Sequence, residues 1–146
     1  MTSVGVAMAD LGAALQGTWR LESWSLVYED GRPPEFPLGE DAIGYLMYTT
    51  DGHMNASLAR ASRPPIDRAS AASKAQAFDA FFGYAGRFEV RDGAVVHKID
   101  FGTNPALSGV NSPRQVQLDG DRLILTGPDF SAGSTRSHRI LWRRAL

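Results

Sequence analysis

Three residues in this 146-residue chain could do chemistry together: His97, Arg114 and Tyr84. An imidazole can hold or move a proton near neutral pH, and a phenol can donate or accept a hydrogen bond. A guanidinium presents a fixed fork of donors to a carbonyl, enolate or carboxylate. Their interest comes from alternation, because successive side chains of a strand point to opposite faces. In Gly93–Phe101, Lys98 and Asp100 mark the outer face with Val96, so Val95, His97, Ile99 and Phe101 point inward. In Tyr84–Arg91, Arg87, Glu89 and Arg91 face out, leaving Tyr84, Gly86, Phe88 and Val90 inside. In Ser112–Leu118, Gln115 and Gln117 oppose Arg114, Val116 and Leu118, which sets Arg114 on an apolar face.

Each of these residues has two readings. A buried guanidinium without a partner costs several kcal/mol, so something must hold it. Structurally, that is a carboxylate, backbone carbonyls or an aromatic ring; functionally, it is a ligand oxygen. His97 is either a satisfied core histidine or a general acid–base group. In an enzyme, Tyr84 would be a hydroxyl donor and Arg114 would stabilise developing negative charge.

The elements that must position these groups are mostly strands. Asp-Gly occurs at 30–31, 51–52, 92–93 and 119–120. Between alternating apolar runs it is a strong hairpin signal, because Gly accepts the positive φ of tight turns. Tyr45–Tyr48 and Met54–Leu58 flank the second turn, Phe88–Val90 and Val95–Ile99 the third, and Val116–Leu118 and Leu123–Leu125 the fourth. Adding Thr18–Tyr28 and Thr135–Arg143 gives about eight strands. Such a series of short antiparallel strands predicts an all-β, up-and-down barrel with room for packed side chains or one small ligand. A two-sheet sandwich is the alternative. Ala69–Phe82 predicts one internal helix, with Ala71, Ala75, Phe78 and Phe82 on one stripe, capped by Asp67 or Ser70 and ended by Gly83. Phe78, Phe81 and Phe82 would form its core or line a ligand entrance. Ala7–Leu15 predicts a short N-terminal helix.

Composition excludes more than it suggests. Fifteen Lys+Arg against sixteen Asp+Glu leave a net charge of −1, so no global field favours nucleic acid or an anionic membrane. The absence of cysteine removes disulfides, thiolate zinc sites and thiol catalysis. All the basic residues except Lys74 and Lys98 are arginine, the cation better suited to partly buried pairing. No segment approaches the roughly 18–20 apolar residues of a membrane span. The N-terminus lacks a basic n-region, so a cytoplasmic location is expected. The three histidines have no metal-ligand spacing, and there is no GxSxG elbow, GxGxxG or P-loop. No metal or cofactor is expected. Nothing divides the chain, so residues 1–146 are expected to form one domain.

The ordered strings GTWRLESW, GEDAIGYLMYTTDGHM, RPP, FDAFFGYAGRFEV, HKIDF, NSPRQVQLDGDRLIL and ILWRR span about Leu15 to Arg144. Together they resemble the small bacterial lipocalin-like domain family. The resemblance implies an antiparallel barrel with an internal cavity, in which Trp19 of Gly-x-Trp packs at the closed end. It also implies an arginine stacked on that tryptophan, for which Arg139 or Arg143 is best placed. Relatives of this shape include ligand carriers and cofactor-free cyclases acting on natural products, so fold alone does not decide function.

The remaining wall is less sharply specified. Trp19 and Leu21 are in one phase and Trp24, Leu26 and Tyr28 in the other; a bulge near Ser23 would reconcile them and turn Trp24 inward, as cavity wall or plain core. Residues 44–48 could bury Tyr45 and Met47 or Leu46 and Tyr48, and the family's Gly-x-Leu-x-Tyr pattern favours the second pair. Met54 shares a face with Ala56 and Leu58, opposite a solvent-facing His53. His138 is ambiguous, because Ile140 and Trp142 oppose Leu141. The expected ligand wall is therefore Trp24, Leu46, Tyr48, Met54, Phe88, Phe101 and Phe82, beside the polar cluster His97, Arg114 and Tyr84. The leading expectation is binding of a small, largely apolar organic molecule. The alternatives are a cofactor-independent cyclase or isomerase acting on a polyketide-like substrate, and a packed barrel with no ligand. Trp142 or an uncapped sheet face could mediate a homodimer.

Overall fold

At Asp92-Gly93 both turn residues have positive φ, 52° and 76°. That is the two-residue turn whose twist matches right-twisted strands, and it joins the longest consecutive pair in the molecule. The computed structural model describes residues 8–129 and 135–145. Ala7 of the expected first helix lies outside them. In order, the elements are α1 (Met8–Leu15), β1 (Gly17–Tyr28), β2 (Ile43–Tyr48), β3 (His53–Ala59), α2 (Ala71–Asp79) and β4 (Phe81–Arg91). Then come β5 (Ala94–Gly102), a 3-10 turn (Pro105–Leu107), β6 (Asn111–Asp119), β7 (Arg122–Pro128) and β8 (Arg136–Arg144). Each strand pairs antiparallel with the next, and β1 pairs with β8, closing an eight-stranded barrel. Closure pairs each described strand on both sides, so none of them is a sheet edge.

One end is packed shut. Leu11 and Leu15 of α1 are buried among Trp19, Leu21, Leu123 and Trp142. The Trp19 indole Nε1 donates to the Leu15 carbonyl at 2.9 Å, tying the helix end to the barrel floor. Arg144 covers the same ring, its guanidinium carbon 4.0 Å from the ring centroid. It also donates to the carbonyls of Gln16 at 2.9 Å and Ala14 at 2.8 Å. The stacked arginine is thus Arg144, not Arg139 or Arg143, since only Arg144 shares the inward phase of Ile140 and Trp142. Arg143 instead pairs with Glu22 on the outside at 3.2 Å.

Two bulges set the strand phases. The β1–β8 register shifts between Leu21 and Ser23, where the change of apolar phase predicts it. Trp24 thereby turns inward. A second shift lies between β4 and β5: Gly86 pairs Ile99 but Ala85 pairs Phe101, so Asp100 is the extra residue. Glycine is needed at 86, because a Cβ would collide with the Lys98 carbonyl oxygen. Phase reverses beyond this bulge, and Phe101 is turned outward, 66% exposed. The inward placement expected from simple alternation is corrected for that residue. On β2, Leu46 and Tyr48 are buried while Tyr45 and Met47 are exposed.

Helix α2 is shorter than its composition predicts. Ser70 caps it by accepting the Ser73 N–H at 3.1 Å, and it stops at Asp79 because Phe81 and Phe82 are taken by β4. No residue of α2 is buried, and Phe78 is 52% exposed. The expected Phe78–Phe81–Phe82 helix core is therefore not formed. No helix among the described residues is long and apolar enough to cross a membrane.

Candidate functional site

Away from α1, where β1, β3, β5 and β7 finish, the barrel encloses a cavity of about 420 Å³. Its apolar wall includes Trp24, Leu46, Leu58, Phe82, Ile99 and Trp142. Its polar groups include Tyr84, His97, Arg114, Ser112, Asp129 and His138. Of the expected ligand wall, Trp24, Leu46 and Phe82 line this space. Met54, although buried, and Phe88 pack in the core and do not reach it. Phe101 lies on the outer wall. Tyr48 stands behind His97, with its ring 4.7 Å from Phe88 and 5.7 Å from the imidazole.

The structure brings Tyr84, His97 and Arg114 to one cavity from three consecutive strands. Val95 pairs with Arg114 and His97 with Ser112, so β5 and β6 present both polar groups inward. Room for the guanidinium comes from β7. A Cβ at Gly127 would lie 2.6 Å from Arg114 Nη1, so a side chain there would occupy its place.

Both ring nitrogens of His97 are held by tyrosines. Tyr48 Oη lies 2.7 Å from Nε2, and Tyr84 Oη lies 2.7 Å from Nδ1. Burial disfavours the imidazolium and the Arg114 charge adds to this, lowering the His97 pKa to about 3. The ring is therefore neutral at physiological pH, with one N–H and one acceptor nitrogen. Tyr48 is buried, and His97 is its only hydrogen-bond partner among the described residues. Leaving its O–H without an acceptor would cost the desolvation of that group. The network accordingly assigns the Tyr48 proton to Nε2 and the imidazole proton to Nδ1, which donates to Tyr84 Oη. Arg114 also acts on Tyr84: its charge and its N–H donors pull the hydroxyl pKa down, offsetting part of the rise due to burial. With its oxygen accepting from His97, the Tyr84 hydroxyl is left free to donate to a molecule in the cavity.

Sequence alternation leaves His138 undecided, and it proves to be a wall residue. The Trp24 indole Nε1, which can only donate, gives its hydrogen to His138 Nδ1 at 3.0 Å. That fixes the proton on Nε2, which faces Asp129 Oδ1 at 3.8 Å. Burial, with the Arg114 charge second, lowers the His138 pKa to about 4 despite the opposing effect of Asp129. Asp129 is ion-paired with Arg136, Nε to Oδ2 at 2.5 Å. Sequence reasoning missed both Tyr48 as the partner of His97 and this mouth cluster. The phase of Trp142 was the one signal for His138. Tyr48 and His97 lie on strands that are not neighbours and meet only across the interior.

Among the described residues, no group of three or more His, Asp or Glu side chains could hold a metal ion. The model of a family described as a lipocalin-like domain matches residues 16–145. No curated protein matches the chain. Among solved structures, it is similar to the lipoprotein YedD from Klebsiella pneumoniae subsp. pneumoniae, at 16% identity and a TM-score of 0.43, over 92% of this chain and 75% of that one.

Proposed function

The chain belongs to the lipocalin-like domain family, and from that premise we propose that it binds a small, largely apolar organic molecule inside the barrel. The cavity carries this reading: about 420 Å³, mostly apolar in its wall, with a few convergent polar groups. Small-molecule sites have this composition and a volume of roughly 300–1,000 Å³. A packed barrel would have its interior filled by side chains, and the cavity speaks against it. The test is a titration with 1-aminoanthracene, a neutral apolar fluorophore. Saturable one-to-one binding is expected, and it should be lost in Ala56→Phe, which fills the cavity from β3. A wild-type protein that fails to bind the dye would refute the proposal.

A second reading is a cofactor-independent cyclase or isomerase for a polyketide-like substrate. One observation favours it: the Tyr84 hydroxyl and Arg114 converge on the cavity, where such donors would stabilise an enolate oxygen. His97 would then be a positioning residue, because both its nitrogens are engaged and it resists protonation. In this case Tyr84→Phe should abolish turnover while leaving affinity for the apolar fluorophore intact.

A further inference from the structure

We infer that the cavity's ligand is an apolar carboxylic acid, bound as its carboxylate by Arg114 and the Tyr84 hydroxyl; this rests on the ligand-binding reading above. The first support is the balance of charge. Among the described residues, two that line the cavity carry a formal charge, Arg114 and Asp129. Asp129 is ion-paired with Arg136, which also lies 3.8 Å from Glu35. Among the described residues, no carboxylate lies within 4.0 Å of Arg114. Both histidines in the wall are neutral, so neither adds a second positive charge. Among the described residues, the half-buried Arg114 guanidinium therefore has no carboxylate in ion-pair contact, and a ligand carboxylate would supply one.

The second support is hydrogen-bond direction. The order Tyr48 to His97 to Tyr84 leaves the Tyr84 hydroxyl free to donate to a molecule in the cavity, whose wall also carries the guanidinium donors. A carboxylate accepts only and suits two convergent donors. An alcohol of the same size brings a donor of its own and no charge. The third support is space. Glycine at 127 keeps clear the volume that the guanidinium occupies, so the side chain is accommodated on the wall.

The experiment is competition against bound 1-aminoanthracene by two matched pairs: decanoate with decanol, and 2-naphthoate with 2-naphthylmethanol, at pH 7.5. A charge-assisted hydrogen bond contributes enough that at least one acid should compete about tenfold to a hundredfold better than its alcohol. In Arg114→Gln this preference should vanish, the acid falling about tenfold or more toward the affinity of its alcohol. Arg114→Leu serves as a second variant. If neither folds, the wild-type ratio of acid to alcohol decides. Acids and alcohols competing equally, with the dye bound, would overturn the carboxylate inference alone. A wild-type protein that binds no dye would overturn the ligand-binding reading, and the inference with it.

Discussion

Lowering the pH from 7.5 to 5.0 should remove about 2 kcal/mol of stability through His97 alone. The folded-state pKa is lowered from 6.5 to about 3 by burial first and Arg114 second. Below pH 6.5 the unfolded chain therefore takes up a proton that the folded chain refuses. The sign follows: the contribution is complete above pH 6.5 and is lost as pH falls toward the folded value. Each pH unit in that window is worth about 1.4 kcal/mol, so the 1.5 units between 6.5 and 5.0 give about 2 kcal/mol. His138, lowered to about 4, acts in the same direction, with a smaller share because it is partly exposed. The lowered carboxylates Asp30 and Asp51 lose their contributions only below their ordinary 3.8, outside this window. The assay is urea unfolding followed by tryptophan fluorescence at constant ionic strength, from pH 8 to pH 5. His97→Gln should flatten the fall by about 2 kcal/mol, since its amide does not titrate. Equal wild-type stability at pH 7.5 and pH 5.0 would refute the buried neutral imidazole and the hydrogen-bond order built on it.

Three further substitutions probe separate parts of the molecule. Arg144→Met should destabilise by about 2–4 kcal/mol, because it removes a ring contact and two hydrogen bonds to α1 carbonyls, and thermal unfolding would report it. Tyr48→Phe leaves His97 Nε2 buried without a donor and should cost about 1–3 kcal/mol in urea unfolding. Gly127→Ala puts a methyl where the guanidinium lies. The end of a flexible side chain can move aside, so the fold should persist while the preference for decanoate over decanol drops toward that of Arg114→Gln.

How far the sequence spoke depends on whether a strand carries its own record of its phase. His97 and Tyr84 were readable because charged neighbours mark the opposite face, and Arg114 because Gln115 and Gln117 mark it. The β1 bulge was readable too, since Trp19 and Leu21 occupy one phase and Trp24 and Leu26 the other within a single strand. The β5 bulge at Asp100 left no such mark: Phe101 is apolar and fits either phase, so alternation carried it inward when the register turns it out. Arg144 was missed because β8 has apolar residues in both phases, and Ile140 with Trp142 reveals the inner one only after closure with β1 and β7. The Ala-rich stripe of α2 predicts a helix but not its burial, and the helix packs no residue into the core. The Tyr48–His97 pair spans 49 positions and two strands that do not touch, which no local periodicity encodes.

If an apolar molecule enters the barrel, the three tryptophans can locate it. Trp24 and Trp142 line the cavity, whereas Trp19 is buried at the floor with its indole N–H bonded to Leu15. The most direct measurement is the set of three indole N–H resonances in a proton–nitrogen NMR spectrum, followed during titration with 1-aminoanthracene. The Trp24 and Trp142 signals should shift to saturation with one equivalent while the Trp19 signal stays in place. Saturable binding that leaves Trp24 and Trp142 unmoved would contradict the account.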